Sequence, residues 1–290
     1  MRFSFVKAEK ANYPIQILCR VLDVSRSGYY AWLRRRPSAR RQADARLSIE
    51  IAISHRRSRR NYGSPRVFKD LREKGLRVSR KRVERLMRQE GLKPKRTRNF
   101  RNTTNSNHSL PVAPNILARK FTVDRPNTVW AGDITYVWTA EGWLYLAVLL
   151  DLYSRRVVGW AVRETLDTPI ALEALDKALK SRQPGPGLVH HTDRGVQYCS
   201  RAYRSRLEES GCLPSMSRVG NCWDNAVSES FFASMKREID DFENLPTQEA
   251  AIAAIADYID NFYNPQRRHS SAGYLSPLEF ELRSKAALAA

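Results

Sequence analysis

The chain has 290 residues, 42% of them hydrophobic, which is enough for two or three domains with a sizeable core. It contains no apolar run long enough to cross a bilayer, and its first residues carry charges where a signal peptide needs an apolar stretch. These features exclude the membrane-spanning and secreted classes. The four cysteines form no CxxC pair and are predicted to be reduced.

The formal net charge of +20 is unevenly distributed along the chain. Residues 1–120 hold 32 Lys and Arg against 8 Asp and Glu, whereas residues 121–290 hold 18 against 22. This split predicts a polyanion-binding front half joined to a half with another task. A membrane surface is the competing partner, but no basic helix here carries the broad aromatic underside that interfacial insertion needs, so nucleic acid is favoured.

The front half contains two segments with the pattern of a helix-turn-helix unit. In the first, residues 14–35, Ser25 is the predicted N-cap of a second helix in which Arg26 is a predicted DNA contact. In the other segment, a helix near residues 42–57 precedes two more, and the last of them follows a cap at Ser79. That last helix presents a basic face, and its predicted DNA contacts are Arg80, Lys81, Arg82, Arg85 and Arg88.

These segments predict all-α helix-turn-helix DNA-binding domains, since a small trihelical domain with a basic last helix commonly enters a major groove. The alternative is a solvated basic bundle that contacts proteins. The predicted boundaries are residues 1–40 and 41–95, followed by a linker without sustained periodicity at 96–122. Arg96 and Arg98 of the linker are further predicted DNA contacts.

The back half changes to strand patterns, three of them in hairpin succession. Short strands and helices then alternate, so the predicted order is β-β-β-α-β-α-β-α, with strands at 128–139, 143–154, 155–164, 187–193 and 213–218. This order predicts an α/β core over residues 123–240, with a mixed five-stranded sheet and helices on both faces, which is the architecture of ribonuclease H-like nucleases and integrases. A helix and a basic tail are predicted for residues 241–290.

Three acidic residues, Asp133, Asp193 and Glu229, lie at informative places in this pattern. Asp133 is inside an apolar strand, where an ionised carboxylate is costly unless it is paired or bound to a metal. Asp193 ends the fourth strand, where an ion pair with Arg194 is the alternative. Glu229 shares a helical stripe with Lys236, which is compatible with a solvated face, a metal site or a phosphate clamp. Three converging carboxylates can hold hard divalent cations, and two such ions can hold the oxygens of an in-line phosphoryl displacement.

Four motifs occur in order along the chain: WAGDITYV, HTDRGVQY, GNCWDNAVSESFFASMKRE and YNPQRRHSSAGYLSP. Thirty-five residues intervene between Asp193 and Glu229, and a lysine follows Glu229 seven residues later. Together with the basic opening segment, this set closely resembles the DDE transposases of bacterial insertion sequences, with a retroviral-integrase-type core. More narrowly, it is similar to the second-reading-frame product of the copy-out–paste-in class, and the resemblance covers nearly the whole chain.

The resemblance implies a catalytic, metal-binding triad of Asp133, Asp193 and Glu229 with two Mg²⁺ ions, for which Mn²⁺ can substitute. It implies cleavage at the end of a DNA element by water, followed by attack of the freed 3′-hydroxyl on another phosphodiester. The side chains that it places beside DNA are Lys236, Asn225, Gln197 and Tyr198. In the tail, Arg267 and Arg268 are predicted to touch the DNA backbone, with packing on the core or on another protomer as the alternative.

The partners implied by the resemblance are double-stranded DNA, as element ends and target, and at least one further copy of the chain on DNA. The resemblance also implies a fusion to the product of an upstream reading frame as an alternative form of the protein. A bacterial cytoplasmic location is expected, associated with the nucleoid when the protein binds DNA. Two other functions compete: a DNA-binding regulator with an inactive core, and a nuclease that only hydrolyses. Asp151 is interpreted as the cap of its turn, and one of His190 and His191 as a core residue.

Overall fold

The computed structural model describes residues 1–95, 110–218 and 222–288. The chain divides into two compact units, Met1–Ala52 and Ile53–Ala290. The domain boundaries predicted at residues 40, 95 and 122 stay predictions. No helix within the described ranges is long and apolar enough to span a bilayer.

The first unit contains a small helical bundle, made of α1 (Arg2–Glu9), α2 (Ile15–Val21) and α3 (Arg26–Arg34). Its buried apolar side chains form one cluster, with Val6, Leu18, Cys19 and Tyr29 at the centre. The predicted cap of α3 is confirmed, because Ser25 Oγ accepts a hydrogen bond from Gly28 N at 3.0 Å. Helix α1 is not predicted, because its short and weakly amphipathic sequence gives little periodic signal.

Three basic helices follow in chain order: α4 (Ala39–Arg57), α5 (Ser64–Glu73) and α6 (Arg80–Gln89). The cap predicted at Ser79 is confirmed, since its Oγ accepts a hydrogen bond from Arg82 N at 3.3 Å. Helix α5 packs against α6. The pair turns its apolar stripes inward and buries Val67, Leu71, Val83, Leu86 and Met87. Most of the basic side chains of α6 are thereby left on the outside.

One mixed sheet organises the second unit, and its strands are β1 (Val129–Thr139), β2 (Gly142–Asp151), β3 (Val157–Arg163), β4 (Val189–Thr192) and β5 (Leu213–Met216). Their order across the sheet is β3-β2-β1-β4-β5. The hairpin-linked β1, β2 and β3 are antiparallel, whereas β4 and β5 run parallel to β1. The predicted mixed five-stranded sheet is confirmed.

Helices cover both faces of this sheet, as predicted. Apolar side chains on one face pack against α7 (Thr168–Arg182), α8 (Val196–Cys199) and α9 (Arg201–Glu209). The other face packs against α10 (Ala226–Glu238) and α11 (Gln248–Ala256). Helix α7 comes so close to β3 that a Cβ on Gly159 would lie 2.7 Å from Ala178 Cβ. Only glycine fits at that crossing.

The helix predicted within residues 241–290 is present, and it changes its geometry along its length. After α11 the chain forms a π-helical turn, Asp257–Tyr263, in which Asn264 N donates to Ile259 O at 3.0 Å. The wider turn places the rings of Tyr258 and Tyr263 5.9 Å apart, and both are buried. An α-helical pattern does not anticipate this, because its hydrogen bonds have a spacing of four residues rather than five. A last helix, α12 (Pro277–Leu288), ends the described chain.

Candidate functional site

The sheet brings the first two predicted acids to the same level. Strands β1 and β4 pair in parallel, with Ala131 opposite His191. Continuing this register by two residues places Asp133 level with Asp193, which directly follows the last residue of β4. The turn there is held by the acid itself, because Asp193 Oδ1 accepts a hydrogen bond from Gly195 N at 2.9 Å. The short β4 therefore leaves the edge of β1 open beside Asp133.

Helix α10 carries the third predicted acid on the same side of the sheet. Asp133 is opposite Val148 on β2, and Val148 belongs to the apolar cluster that contains Phe231 and Phe232 of α10. Residues opposite each other in an antiparallel pair point to the same face, so Asp133 points to the side that α10 covers. Glu229 lies in the first turn of α10 and is exposed to solvent.

The acids influence one another electrostatically. Burial raises the pKa of Asp133 well above its usual value, and the negative charges of Asp193 and then Glu229 raise it further. A hydrogen bond from Ile134 N at 2.9 Å and the ammonium of Lys236 act in the opposite direction. Desolvation also raises the pKa of Glu229. The site is therefore short of positive charge, and a carboxylate at Asp133 is costly without more of it.

The donor chemistry of the three acids fits a divalent metal site. Carboxylate oxygens are the ligands that hard cations take, and a cation would favour the ionised form of Asp133. In the described ranges, however, no group of three or more His, Cys, Asp or Glu side chains is close enough together to hold one ion. Asp193 acts most strongly on Asp133, and Glu229 acts less strongly from the exposed start of α10. Asp133 and Asp193 are therefore the more strongly coupled pair of the three acids.

Lys236 is two helical turns after Glu229, on the stripe that the sequence predicts. Burial lowers the pKa of Lys236 to about 8, and Asp133 opposes that shift. The Lys236 ammonium also lies 6.0 Å from the centroid of the Phe242 ring. A half-buried cation beside the acids is suited to receive a phosphate group.

The sequence predictions omit Asp224, which anchors the turn before α10. This carboxylate is 1% exposed and accepts hydrogen bonds from Arg218 Nη2 at 2.9 Å, Arg119 Nε at 2.8 Å and Asn115 Nδ2 at 2.9 Å. The bonds from Arg218 are the main cause that holds the pKa of Asp224 far below its usual value. Together, the bonds from Arg218, Arg119 and Asn115 connect the start of α10, the helix that bears Glu229, to the chain after β5 and to the chain before β1. The only sequence signal is an acid just before a predicted helix.

Three of the predicted DNA contacts are buried in the structure, and their contact with DNA stays a prediction. Gln197 is 7% exposed, and its Nε2 donates to Leu166 O at 3.2 Å. Tyr198 is 2% exposed. Asn225 is 6% exposed, and its Nδ2 donates to Gly132 O at 3.5 Å. All three side chains therefore lie inside the protein.

The predicted contacts of Arg267 and Arg268 with the DNA backbone are corrected. Arg267 is 4% exposed and pairs with Glu238, and Arg268 is 8% exposed and pairs with Asp70 and Glu73. The alternative, packing of the tail on the rest of the protein, is what the structure has. Both guanidinium groups already have carboxylate partners, so neither is available to a phosphate.

The basic helices keep most of their predicted contact residues accessible. Arg26 on α3 is exposed, and on α6 the exposed side chains are Arg80, Lys81 and Arg88. Arg82 and Arg85 are half-buried on the same helix. Arg96 and Arg98 lie outside the described residues. The assignment of individual DNA contacts on these helices stays a prediction.

The interpretation of Asp151 as a cap is confirmed. Its Oδ1 accepts a hydrogen bond from Tyr153 N at 2.9 Å, and its Oδ2 lies 3.3 Å from Arg182 Nη2. His190 and His191 are both buried, one more than predicted. Burial lowers the pKa of His190 to about 3 and that of His191 to about 4, so both are neutral core residues at neutral pH.

Known protein families match most of this chain. Residues 42–100 match an HTH-like domain, and residues 123–222 and 210–277 match two models of the integrase core domain. Among solved structures, a chain from the structure of the simian T-cell lymphotropic virus intasome in complex with PP2A regulatory subunit B56 gamma matches 70% of this chain and 67% of its own length, with a TM-score of 0.46 and 15% identity. The catalytic core of HTLV-2 integrase covers 54% of this chain and 97% of its own length, with a TM-score of 0.41 and 18% identity.

Two curated relatives align with nearly the entire chain. An uncharacterized 31 kDa protein of insertion element IS600 from Shigella sonnei is 48% identical over 91% of this chain and 97% of its own length. Transposase InsF for insertion sequence IS3A from Escherichia coli K12 is 41% identical over 99% of this chain and 100% of its own length. With the HTH-like helices and the integrase core in place, the chain belongs to the family of insertion-sequence transposases that includes InsF of IS3, and it is a DDE-type DNA transposase.

Proposed function

We propose that Asp133, Asp193 and Glu229 form the active site at which this transposase cleaves the ends of its element and joins them to other DNA. One observation carries the proposal: the β1–β4 register places Asp133 level with Asp193, on the face of the sheet that is covered by α10, the helix of Glu229. Clustered carboxyl groups with perturbed pKa values are costly to a fold and are typical of catalytic sites. The family of transposases to which the chain belongs makes phosphodiester chemistry the reaction to expect there.

The three carboxylates would hold divalent cations, and we propose two Mg²⁺ ions, with Mn²⁺ as an alternative. Bound ions would supply charge that activates water and stabilises the attacking and leaving oxygens of a phosphoryl transfer. Asp133 on the sheet, Asp193 after β4 and Glu229 on α10 would hold these ions. The short β4 and the exposed start of α10 leave the open edge where such ions and DNA would enter.

The proposed reaction has two displacements at phosphorus. Water first attacks the phosphodiester at the element end and releases a 3′-hydroxyl. That hydroxyl then attacks a second phosphodiester, joining strands without a covalent bond between protein and DNA. In the copy-out class this second attack connects one element end to the other. Lys236 would bind a DNA phosphate beside the acids.

Recognition of the element ends is assigned to the helix-turn-helix part. The exposed Arg26, Arg80, Lys81 and Arg88 would contact phosphates and groove edges. Because two ends must be held together for joining, we propose that the protein acts at least as a dimer on DNA. An upstream-frame region fused to this chain is a further proposed partner.

The test is the variant Glu229→Gln in an assay with an end-labelled element end and Mg²⁺. We expect unchanged affinity for end DNA, because the basic helices are intact. Cleavage and joining should both fall by a factor on the order of 10²–10³, the loss typical for one preorganised electrostatic contact. Chelation of the metal should have the same effect on the unchanged protein.

Glu141→Gln is the matched control, since Glu141 is at the tip of the β1–β2 hairpin and its carboxylate only accepts a bond from Gln248 N at 2.8 Å. This control should cleave and join at the normal rate. Cleavage at the normal rate by Glu229→Gln would show that the proposed active site is wrong. Cleavage without any joined product, in the unchanged protein, would instead indicate a hydrolytic nuclease.

A further inference from the structure

Two consecutive arginines in the C-terminal segment, Arg267 and Arg268, bind two different functional parts of the second unit. Arg267 binds the helix of the candidate active site. Its Nε donates to Glu238 Oε2 at 2.7 Å, and its Nη2 donates to Glu238 Oε1 at 2.8 Å and to Ser234 Oγ at 3.1 Å. Glu238 and Ser234 both belong to α10, and Tyr258 also donates to Glu238, at 3.0 Å. The far end of α10 is thus fixed by a bidentate, solvent-shielded ion pair.

Arg268 turns the other way and binds the first of the two packed basic helices. Its Nη2 donates to Asp70 Oδ1 at 2.9 Å, and its Nη1 donates to Glu73 Oε1 at 2.9 Å, both on α5. Its backbone N donates to Tyr62 Oη at 2.7 Å, just before α5. Since α5 packs against α6, which carries the exposed Arg80, Lys81 and Arg88, the contact reaches the predicted DNA-binding surface.

Other charged contacts join segments that flank these helices. Arg59 pairs with Asp257, and its guanidinium lies 5.5 Å from the centroid of the Tyr258 ring. Lys95 Nζ lies 2.6 Å from Asp240 Oδ1, two residues after α10 ends. These contacts are directional, unlike apolar packing, so they define an orientation as well as an attachment. A buried polar network is a known way to specify one arrangement among several.

We infer that Arg267 and Arg268 couple the DNA-binding helices to the active-site helix. The pair sets where DNA held by α6 lies relative to Asp133, Asp193 and Glu229, so that the scissile phosphate is presented to the acids. Both arginines are positioning residues in this view, and neither binds DNA. The inference rests on the proposed function, because it needs the acids to be the place of cleavage.

The test compares Arg268→Ala with Arg268→Lys and with the control Arg283→Ala, which removes an exposed arginine from an i, i+4 pair on α12. Three quantities are measured: affinity for end DNA, the single-turnover cleavage rate at saturating DNA, and amide hydrogen exchange. For Arg268→Ala we expect affinity within about twofold, because the basic face of α6 is intact. The saturated cleavage rate should fall by up to about 10²-fold, as a misplacement of about 1 Å can cost.

Hydrogen exchange in Arg268→Ala should become faster in α5 and α6 and stay unchanged in β1, β2 and β3. Arg268→Lys keeps the charge and should recover part of the lost rate, while Arg283→Ala should match the unchanged protein. A saturated rate equal to that of the unchanged protein would overturn the inference. So would a loss that follows only the DNA affinity or the folded fraction, because a merely structural role predicts that result.

A second variant approaches the same contact from the other side. Asp70→Asn combined with Glu73→Gln removes the negative charge of both partners, which are 22% and 41% exposed, and keeps Arg268 in place. If Arg268→Ala does not fold, this double variant decides: a slower saturated rate supports the coupling, and a normal rate rejects it. Failure of the unchanged protein to cleave element ends with Mg²⁺ would reject the proposed function instead, and the exchange measurement would still test the attachment.

Discussion

Glu238 is a buried carboxylate whose desolvation is offset by its partners. The carboxylate is 1% exposed, and burial alone raises its pKa. The charge of Arg267 and hydrogen bonds from Arg267 and Tyr258 outweigh burial, so the pKa of Glu238 is lowered overall. A folded pKa below the unfolded value means that the ionised form stabilises the fold. This contribution is complete above the unfolded pKa, near 4.5, and is lost as the pH falls through the lower folded pKa.

We therefore predict that Glu238→Gln lowers the free energy of unfolding at pH 7 by about 3–5 kcal/mol, because Arg267 is left buried without its counter-charge. The difference from the unchanged protein should shrink as the pH falls below 4.5. Urea unfolding at a series of pH values measures it. Glu279→Gln, which breaks an i, i+4 pair on α12, should cost at most about 0.5 kcal/mol. A difference that stays constant into acid would contradict this account.

Sequence reasoning works at the residue scale where the local context is anomalous. Asp133 could be singled out because a carboxylate in an apolar strand needs a reason. Arg267 and Arg268 could not be interpreted correctly, because their partners are far away in the chain: 29 residues for Glu238 and 198 for Asp70. A charged residue near the end of a basic protein looks like a phosphate contact until its carboxylate partners are known.

At the scale of secondary-structure elements, the crossing of α7 over β3 depends on a close contact at Gly159. A Cβ at Gly159 would meet Ala178 Cβ at 2.7 Å and Ala178 N at 2.9 Å. Alanines at positions 171, 174 and 178 form the facing stripe of α7 and are fully buried. Small residues on both sides allow the helix to lie close to the strand, which brings their backbones together. The position of α7 on the sheet thus depends on the absence of a Cβ at Gly159.

Gly159→Ala should destabilise the protein by about 1–3 kcal/mol or more, because neither the helix backbone nor the strand can yield without loss of packing. Gly185→Ala is the control, since a Cβ there meets no atom within 4 Å and the glycine does not have a positive φ. That change should leave stability within about 0.5 kcal/mol. Thermal unfolding of the three proteins gives the comparison, and equal melting temperatures for both variants would show that α7 can shift.

Element patterns explain why much of the fold can be predicted from sequence. The strands β1, β2 and β3 begin and end within three residues of their predicted bounds, because alternation and turn residues mark them. Side-chain caps at Ser25 and Ser79 are equally local signals. The π-helical turn has no such signal, since tertiary burial of Tyr258 and Tyr263 selects it. Helix α12 is also not predicted, and its buried Glu281 accepts hydrogen bonds from Ser154 and Arg156 in the distant turn between β2 and β3.

At the scale of the whole molecule, charge separates two tasks. The net charge of +20 comes from residues 1–120, and the part that contains the acids is slightly negative. A basic part attracts DNA at long range, while the acidic part repels phosphate unless cations are present. DNA affinity should therefore depend on the helical part, and cleavage should depend on metal. The two properties should be separable by mutation.

Arg80→Ala should weaken binding of any duplex to a similar extent, because a phosphate contact does not read sequence. The slope of log affinity against log salt concentration should fall by about 1 in magnitude. Fluorescence anisotropy at several salt concentrations measures both effects. The same change at Arg283 on α12 should alter neither, and an unchanged slope for Arg80→Ala would mean that Arg80 does not contact a phosphate.

The π-helical turn sets the angular phase of everything that follows it. It holds one residue more per hydrogen-bonded ring than an α-helix, and Arg267 N already closes the next such ring on Phe262 O at 2.8 Å. If these seven residues formed an ordinary α-helix instead, with none of them lost, the chain beyond them would be rotated by about one residue, which is about 100°. Both arginines would then face away from their carboxylates. We expect substitutions that favour ordinary α-helical geometry in this turn to inactivate an enzyme in which every acid is still encoded.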